Sequence, residues 1–292
     1  MIHLLPIRDA DFALAHAAYA REDLFLQYDW AERLRGGGPA GGGLLLVADG
    51  VAIGGVRSGG GHVSEPFLIP PHGDLTAFWR AALDALCPPG ETLALDFIPD
   101  VHAEALAALG AARTRSQLRM LRPTLALPGD APAALDGDYA FAELTAADRD
   151  EIVRLVHRAH ANGYTAAATG PRDWAQEGRA IDKRLADFTQ TRSLRLSTLA
   201  RHRGSGELAG VCMAGIYPDS ANRFATIHQV SVAPEHRRRG LAQAMMRRAI
   251  ERAAFVSPVI TLGVLAGNPA RRLYERLGFA AGPVYSDYRY SR

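Results

Sequence analysis

The chain has 292 residues, about two domains at roughly 150 residues each. Its 33 basic and 31 acidic residues leave a formal net charge of +2, which excludes a nucleic-acid binder held mainly by net charge and equally an acidic disordered tail. With 48% hydrophobic and 22% charged residues it can bury a core, so disorder is not the whole answer. No stretch approaches the ~20 apolar residues of a membrane span.

Cys87 and Cys212 are the two cysteines and lie far apart. Without a C-x-x-C pair, a zinc ribbon or thioredoxin-type site is excluded, and both are read as reduced thiols of a cytoplasmic protein. At the N-terminus, Arg8, Asp9 and Asp11 come too early for a signal peptide. The run Gly36–Gly43 is not followed by Lys-Ser/Thr, so it reads as a flexible loop rather than a phosphate loop. Leu44–Val47 and Val51–Val56 predict a hairpin through Asp49-Gly50. His62–Ile69 follows as a strand, Leu75–Leu86 as a helix, Leu93–Phe97 as a strand, and Val101–Leu109 as a helix stopped by Gly110.

Between Arg122 and Tyr139, three prolines remove backbone donors and two glycines loosen the chain, which predicts a linker. Two units follow: 1–124 and 138–292, with 125–137 between them. In the second, Tyr139–Glu143 reads as a strand, and Thr145 caps a helix whose apolar stripe runs through Ile152, Leu155 and Val156. A helix is expected over Trp174–Phe188, then strands Leu194–Ala200, Leu208–Tyr217 and Phe224–Val232. Leu241–Ala253 is an amphipathic helix and Val259–Val264 a buried strand. A helix with Asn268 as N-cap, Pro269 in its first turn and Gly278 past its end comes next, then a strand over Pro283–Tyr290. The two units share this order, and their glycines keep step: 240 − 73 = 167 and 278 − 110 = 168. That is an internal repeat.

The informative segment is Val230-Ser-Val-Ala-Pro-Glu-His-Arg-Arg-Arg-Gly-Leu-Ala242, a strand, a short loop and a helix start. First-turn amides of a helix lack intrahelical acceptors and carry the positive end of its dipole, so such an end binds phosphate. Gly240 permits close approach, Ala242 keeps the wall low, and Arg237, Arg238 and Arg239 add charge at the rim.

With Arg237-x-x-Gly240-x-Ala242 after that strand, and Asn268 followed by Tyr274-x-x-x-Gly278-Phe279, the sequence resembles the GNAT superfamily of acetyl-CoA-dependent N-acetyltransferases over about 138–292. The resemblance implies an α+β fold of two tandem GNAT-like domains, each a mixed, mostly antiparallel sheet flanked by helices. It implies acetyl-CoA as co-substrate, no metal, and direct attack by a primary amine in a ternary complex, neither cysteine being expected near the motifs. Val230 and Val232 would line the pantetheine arm, with the Val232 amide on the thioester carbonyl. The amides of Arg238, Arg239, Gly240, Leu241, Ala242 and Gln243 would meet the pyrophosphate, and Asn268 the pantetheine. Tyr274 would be the general acid. The family often places a Glu where this chain has His228, so His228 is the candidate base, with Glu235 and Asp287 open. His160, Tyr164 and Trp174 fall where the family's early helices cover the acceptor.

The first unit reads as a degenerate, non-catalytic copy: Ile69-Pro-Pro-His-Gly73-Asp74 has no Arg or Gln three residues before Gly73, and Glu104–Leu109 offers no phenol. The expected partner is a small-molecule or peptide amine, with no nucleic acid and no membrane; the oligomeric state stays open. The alternative is a CoA-binding sensor or scaffold without turnover.

Overall fold

The computed structural model describes residues 2–20, 41–126, 137–161, 163–218 and 223–292. The Gly-rich run up to residue 40 and the linker over 127–136 lie outside the described residues. Contacts divide the chain into two compact units, residues 1–118 with 283–292, and residues 119–282.

The first unit carries strands β1 (Ile2–Ile7), β2 (Gly42–Ala48), β3 (Val51–Gly59), β4 (His62–Leu68) and β5 (Thr92–Pro99), with helices α1 (Asp9–Tyr19), α2 (Leu75–Leu86) and α3 (Ala103–Ala108). Its sheet order is β1-β2-β3-β4-β5-β12, where β12 (Ala280–Ser291) is the chain's last strand. All neighbours are antiparallel except β4 and β5, which pair in parallel only at His62↔Ala94 and Val63↔Leu95. The β2–β3 hairpin turns at Asp49 and Gly50, both at positive φ (49° and 83°), as that tight turn requires. Trp79, Leu83, Leu95, Ile98, Leu106 and Tyr288 share one core. Within it, Trp79 Nε1 donates to His102 Nδ1 at 3.1 Å, and burial pushes the His102 ring down to about 4.

The second unit holds β7 (Tyr139–Glu143), β8 (Thr198–His202), β9 (Leu208–Gly215), β10 (Ala225–Val232) and β11 (Val259–Leu265), with α4 (Arg149–His160), α5 (Tyr164–Thr169), α6 (Trp174–Gln190), α7 (Leu241–Ala253) and α8 (Arg271–Arg276). Its order is β6-β11-β10-β9-β8-β7, with β6 (Ala112–Pro123) belonging to this unit from Arg119 onward. A Cβ on Gly210 would strike Met245 of α7, and one on Gly215 would strike the Phe188 ring of α6. Five residues apart on one strand, these glycines face opposite sides, so α6 covers one face and α7 the other. Met245, Met246 and Ile250 are buried under the sheet, each such side chain contributing ~1.5–3 kcal/mol of burial.

The predicted elements recur in both units, with three additions in long stretches: β1 with α1, α5, and β6. Three boundaries move. The strand expected over Leu194–Ala200 starts with a 3-10 turn at Leu194–Leu196, and its strand part is Thr198–His202. Arg122 is buried, with Nε donating to Pro123 O at 2.9 Å and Nη1 to Leu277 O, so the predicted start of the linker is a pinned strand end. The strand read over Pro283–Tyr290 forms, but pairs with β5 through Tyr285↔Pro99 to Ser291↔Thr92 and so completes the first unit.

Candidate active site

The loop after β10 is shaped by two left-handed residues. Arg238 has φ 64° and Gly240 φ 80°, and Gly240 is the N-cap of α7. Glycine meets that conformation without the Cβ penalty. No side chain caps this helix, and its first intrahelical bond is Ala244 N to Gly240 O at 3.0 Å. The amides of Leu241, Ala242 and Gln243 therefore precede the first intrahelical bond, at the positive end of a 13-residue helix. Arg238 and Arg239 are exposed there and make no ion pair among the described residues. Arg237 is committed elsewhere: its Nε reaches Val232 O at 3.3 Å and its Nη2 Ala159 O at 2.8 Å, so it ties the loop to the end of α4.

The strands beside this helix end part company. β10 and β11 pair in parallel at Ala225↔Ile260, Thr226↔Thr261 and Ile227↔Leu262, and no further. On its other side β10 stays paired with β9 to Val232↔Gly210, past a bulge between Ile227 and Gln229. Ala233 N donates to Ala209 O at 2.9 Å. Amides alternate sides along a strand, so those of Val230 and Val232 point away from β9, into the opening. The pairing ends at Ile227 and Leu262, and β10 runs on from there toward the helix end.

Tyr274, on α8, is largely buried, and burial with the nearby Cys212 pushes its phenol up to about 12. Cys212 is the cross-strand partner of Val230, so the phenol is held near the deep part of the opening. The expectation that neither cysteine lies near the motifs is thus corrected. Cys212 is fully buried, however, and its thiol is pushed up to about 12, which keeps it out of the thiolate form. Asn268 is not the N-cap expected of it: α8 starts at Arg271 with Ala270 in that place, and the Asn268 Oδ1 accepts from Ala270 N at 2.9 Å in the turn before it.

His228 sits at the bulge, just beyond the last paired residue. Arg184 of α6 donates Nε to its Nδ1 at 3.2 Å, and the Tyr217 ring lies edge-on at 5.2 Å. The ring is exposed, yet the protein packed around it and the Arg184 charge push it down to about 4. A neutral imidazole that accepts at Nδ1 carries its proton on Nε2. The other two base candidates are engaged. Glu235 takes Arg158 Nη2 at 2.8 Å; Asp287, in the first unit, takes Phe97 N and Arg115 Nε, both at 3.0 Å.

A polar chain unread in the sequence runs beside His228. His160 donates Nδ1 toward buried Glu177 Oε1 at 3.2 Å, while Gln229 Nε2 reaches His160 Nε2 at 3.0 Å and Ser231 Oγ at 2.8 Å. Burial acts to raise the Glu177 carboxyl, but the His160 hydrogen bond and the charges of Arg172 and Arg184 hold it below the usual range. Tyr164 and Trp174 are exposed, and Tyr164 OH donates to Ala266 O at 2.8 Å. The available signal was two charged residues, Glu177 and Arg184, seven apart on the same face of a helix that otherwise buries Ile181, Leu185 and Phe188.

The matching helix end in the first unit is closed. Asp74 caps α2, its Oδ1 accepting from Ala77 N at 2.9 Å, so a carboxylate occupies the place a phosphate would take. The residue 168 before Tyr274 is Leu106, fully buried in the core.

Among the described residues, no group of three or more His, Cys, Asp or Glu side chains could hold a metal ion. No described helix is long and apolar enough to cross a membrane.

Residues 163–279 match the family model for the GNAT acetyltransferases. A GCN5-related N-acetyltransferase from Sphaerobacter thermophilus is similar in structure, with a TM-score of 0.66 at 19% identity over 99% of this chain and 95% of that one. A tandem GNAT protein of the clavulanic acid biosynthesis pathway gives 0.55 at 15% identity over 99% and 98%. A GNAT-family acetyltransferase from Colwellia psychrerythraea gives 0.56 at 13% identity over 99% of both chains. At these identities the likeness is one of fold. No curated protein matches the chain significantly.

Proposed function

We propose, from the match of residues 163–279 to the GNAT acetyltransferase family model, that the second unit transfers an acetyl group from acetyl-CoA to a primary amine. The observation that carries the reading is the opening between β10 and β11 leading to the uncapped end of α7. A diphosphate fits this end: the Leu241, Ala242 and Gln243 amides point the right dipole at it, and Arg238 and Arg239 flank it. Acetyl-CoA, when bound, supplies an acyl group on a thiol leaving group.

The residues then divide the work. Val232 and Val230 present amides to an arm running inward from the helix end. The Val232 amide is assigned to the carbonyl oxygen that gains charge, with that of Val230 further along the same strand edge. One such donor is typically worth ~3–4 kcal/mol. Tyr274 keeps its proton at neutral pH and donates a hydrogen bond to the departing sulfur. Complete transfer from a phenol near 12 to a thiolate whose ordinary pKa is about 8.5 is uphill, so the hydrogen bond is its main contribution.

His228, with Nδ1 taken by Arg184, acts as a neutral wall of the acceptor site and not as the base. The amine enters as its uncharged form or sheds its proton to water. Attack is direct, because the one cysteine beside the site is a buried thiol. The test is release of CoA thiol from acetyl-CoA with a panel of primary amines. Amine-dependent release is expected; acetyl-CoA binding with no release from any amine would make the protein a CoA-binding sensor instead.

A further inference from the structure

Arg184 is in an unusual position for a guanidinium. Its one hydrogen bond among the described residues goes to the neutral imidazole of His228, and its Nη1 is buried without a partner. Among the described residues Arg184 makes no ion pair, and Glu177, whose buried Oε2 has no hydrogen bond, acts on it through its charge alone. Glu177, on the same helix face, is taken by His160 at 3.2 Å and faces Arg172 at 3.8 Å. Asp187 holds Lys183 at 2.9 Å. Arg172 and Arg119 add positive charge around the His228–Arg184 pair. A guanidinium held partly out of water with no carboxylate in hydrogen-bond contact is costly, and buried polar groups in folded proteins are normally satisfied. Burial and the neighbouring Arg172 already lower the guanidinium's hold on its proton. The side chain lies beside His228, at the deep end of the opening, on the face away from α7.

We propose that the amine accepted by the second unit also carries a carboxylate, and that Arg184 is the residue that binds it. This rests on the acetyl-transfer reading above. A carboxylate suits a single guanidinium whose Nε is already used and whose Nη1 faces the protein, since one of its oxygens can meet Nη2. A phosphate dianion would call for a second free cation, and Arg172 is engaged with Glu177.

The experiment uses the full chain with acetyl-CoA and matched acceptors, alanine against alaninamide and 4-aminobutyrate against butylamine. For at least one pair, kcat/KM is expected to favour the carboxylate member roughly ten- to hundredfold. Arg184→Met should collapse that ratio toward one, and Arg184→Lys, which keeps the charge without the fork, should retain part of it. Calorimetric titration of the same compounds into CoA-saturated protein reads binding without turnover. If no amine is acetylated but Arg184-dependent carboxylate binding persists, the transfer reading fails and this one stands. If amines are acetylated with no preference for the carboxylate member, or the ratio survives Arg184→Met, or a phosphorylated amine is preferred, the inference is overturned.

Discussion

Arg184 donates its Nε to Nδ1 of His228 across 3.2 Å, and this contact decides what His228 can do. With that nitrogen occupied and the ring pushed down to about 4, His228 is not set to take a proton near neutrality. An alkylammonium of pKa about 10.4 must then lose its proton to solvent. The expected pH profile of kcat/KM rises about tenfold per unit from pH 6 to 9, with no inflection near 6.5. His228→Asn, whose Oδ1 can accept from Arg184 in place of Nδ1, should keep that profile. An inflection near 6.5 that vanishes in the variant would restore His228 as the base.

Tyr274→Phe should lower kcat at least tenfold, within the ~10²–10⁴ a positioned acid typically contributes. The phenol makes no hydrogen bond to a described residue, so the melting temperature and the Kd for acetyl-CoA should change little. Unchanged turnover would remove Tyr274 from the reaction.

Cys212→Ala should leave acetyl transfer intact apart from a modest loss of stability, and no acetyl group should remain on the protein after mixing with acetyl-CoA, as read by mass spectrometry of the denatured chain. The thiol is pushed up to about 12 and fully buried, so it offers no nucleophile. An acetylated Cys212 would replace direct attack by a two-step route.

His102 supplies a stability test in the first unit. Its folded pKa, about 4, lies below the ordinary 6.5. Between these values the unfolded chain binds more protons, so stability rises with pH through the window and is lost as pH falls from 6.5 toward 4. The full effect is about 3 kcal/mol. His102→Asn keeps an acceptor for Trp79 Nε1 and loses the titration. The slope of melting temperature against pH between 6.5 and 4 should be shallower in the variant; an equal slope would place the titration elsewhere.

The sequence was most legible where one residue type has a single physical use. Gly240 in the left-handed region and Leu241–Ala253 with its apolar rows were readable because neither depends on distant partners. β6 was hidden because its buried alternation, Leu118, Met120 and Arg122, is interrupted by arginines, one of which is itself buried. β1 carries Pro6, which its place at the edge of the sheet permits. The last strand read correctly as a strand, but which unit it joins is decided by pairing with Thr92–Pro99, nearly 200 residues earlier in the chain. Arg184 could not be ranked above the chain's many other arginines, because its isolation follows from what its neighbours have already bound.

The two helix ends permit the most direct test of the account. Asp74 closes one, and no described side chain caps the other. Titrating CoA into isotope-labelled protein while following backbone amide resonances should move Gly240, Leu241, Ala242 and Gln243 and leave Leu75 to Ala77 in place, with Gly240→Asp abolishing the response. Movement at the Asp74 end, or none at Leu241 to Gln243 under saturating CoA, would contradict it.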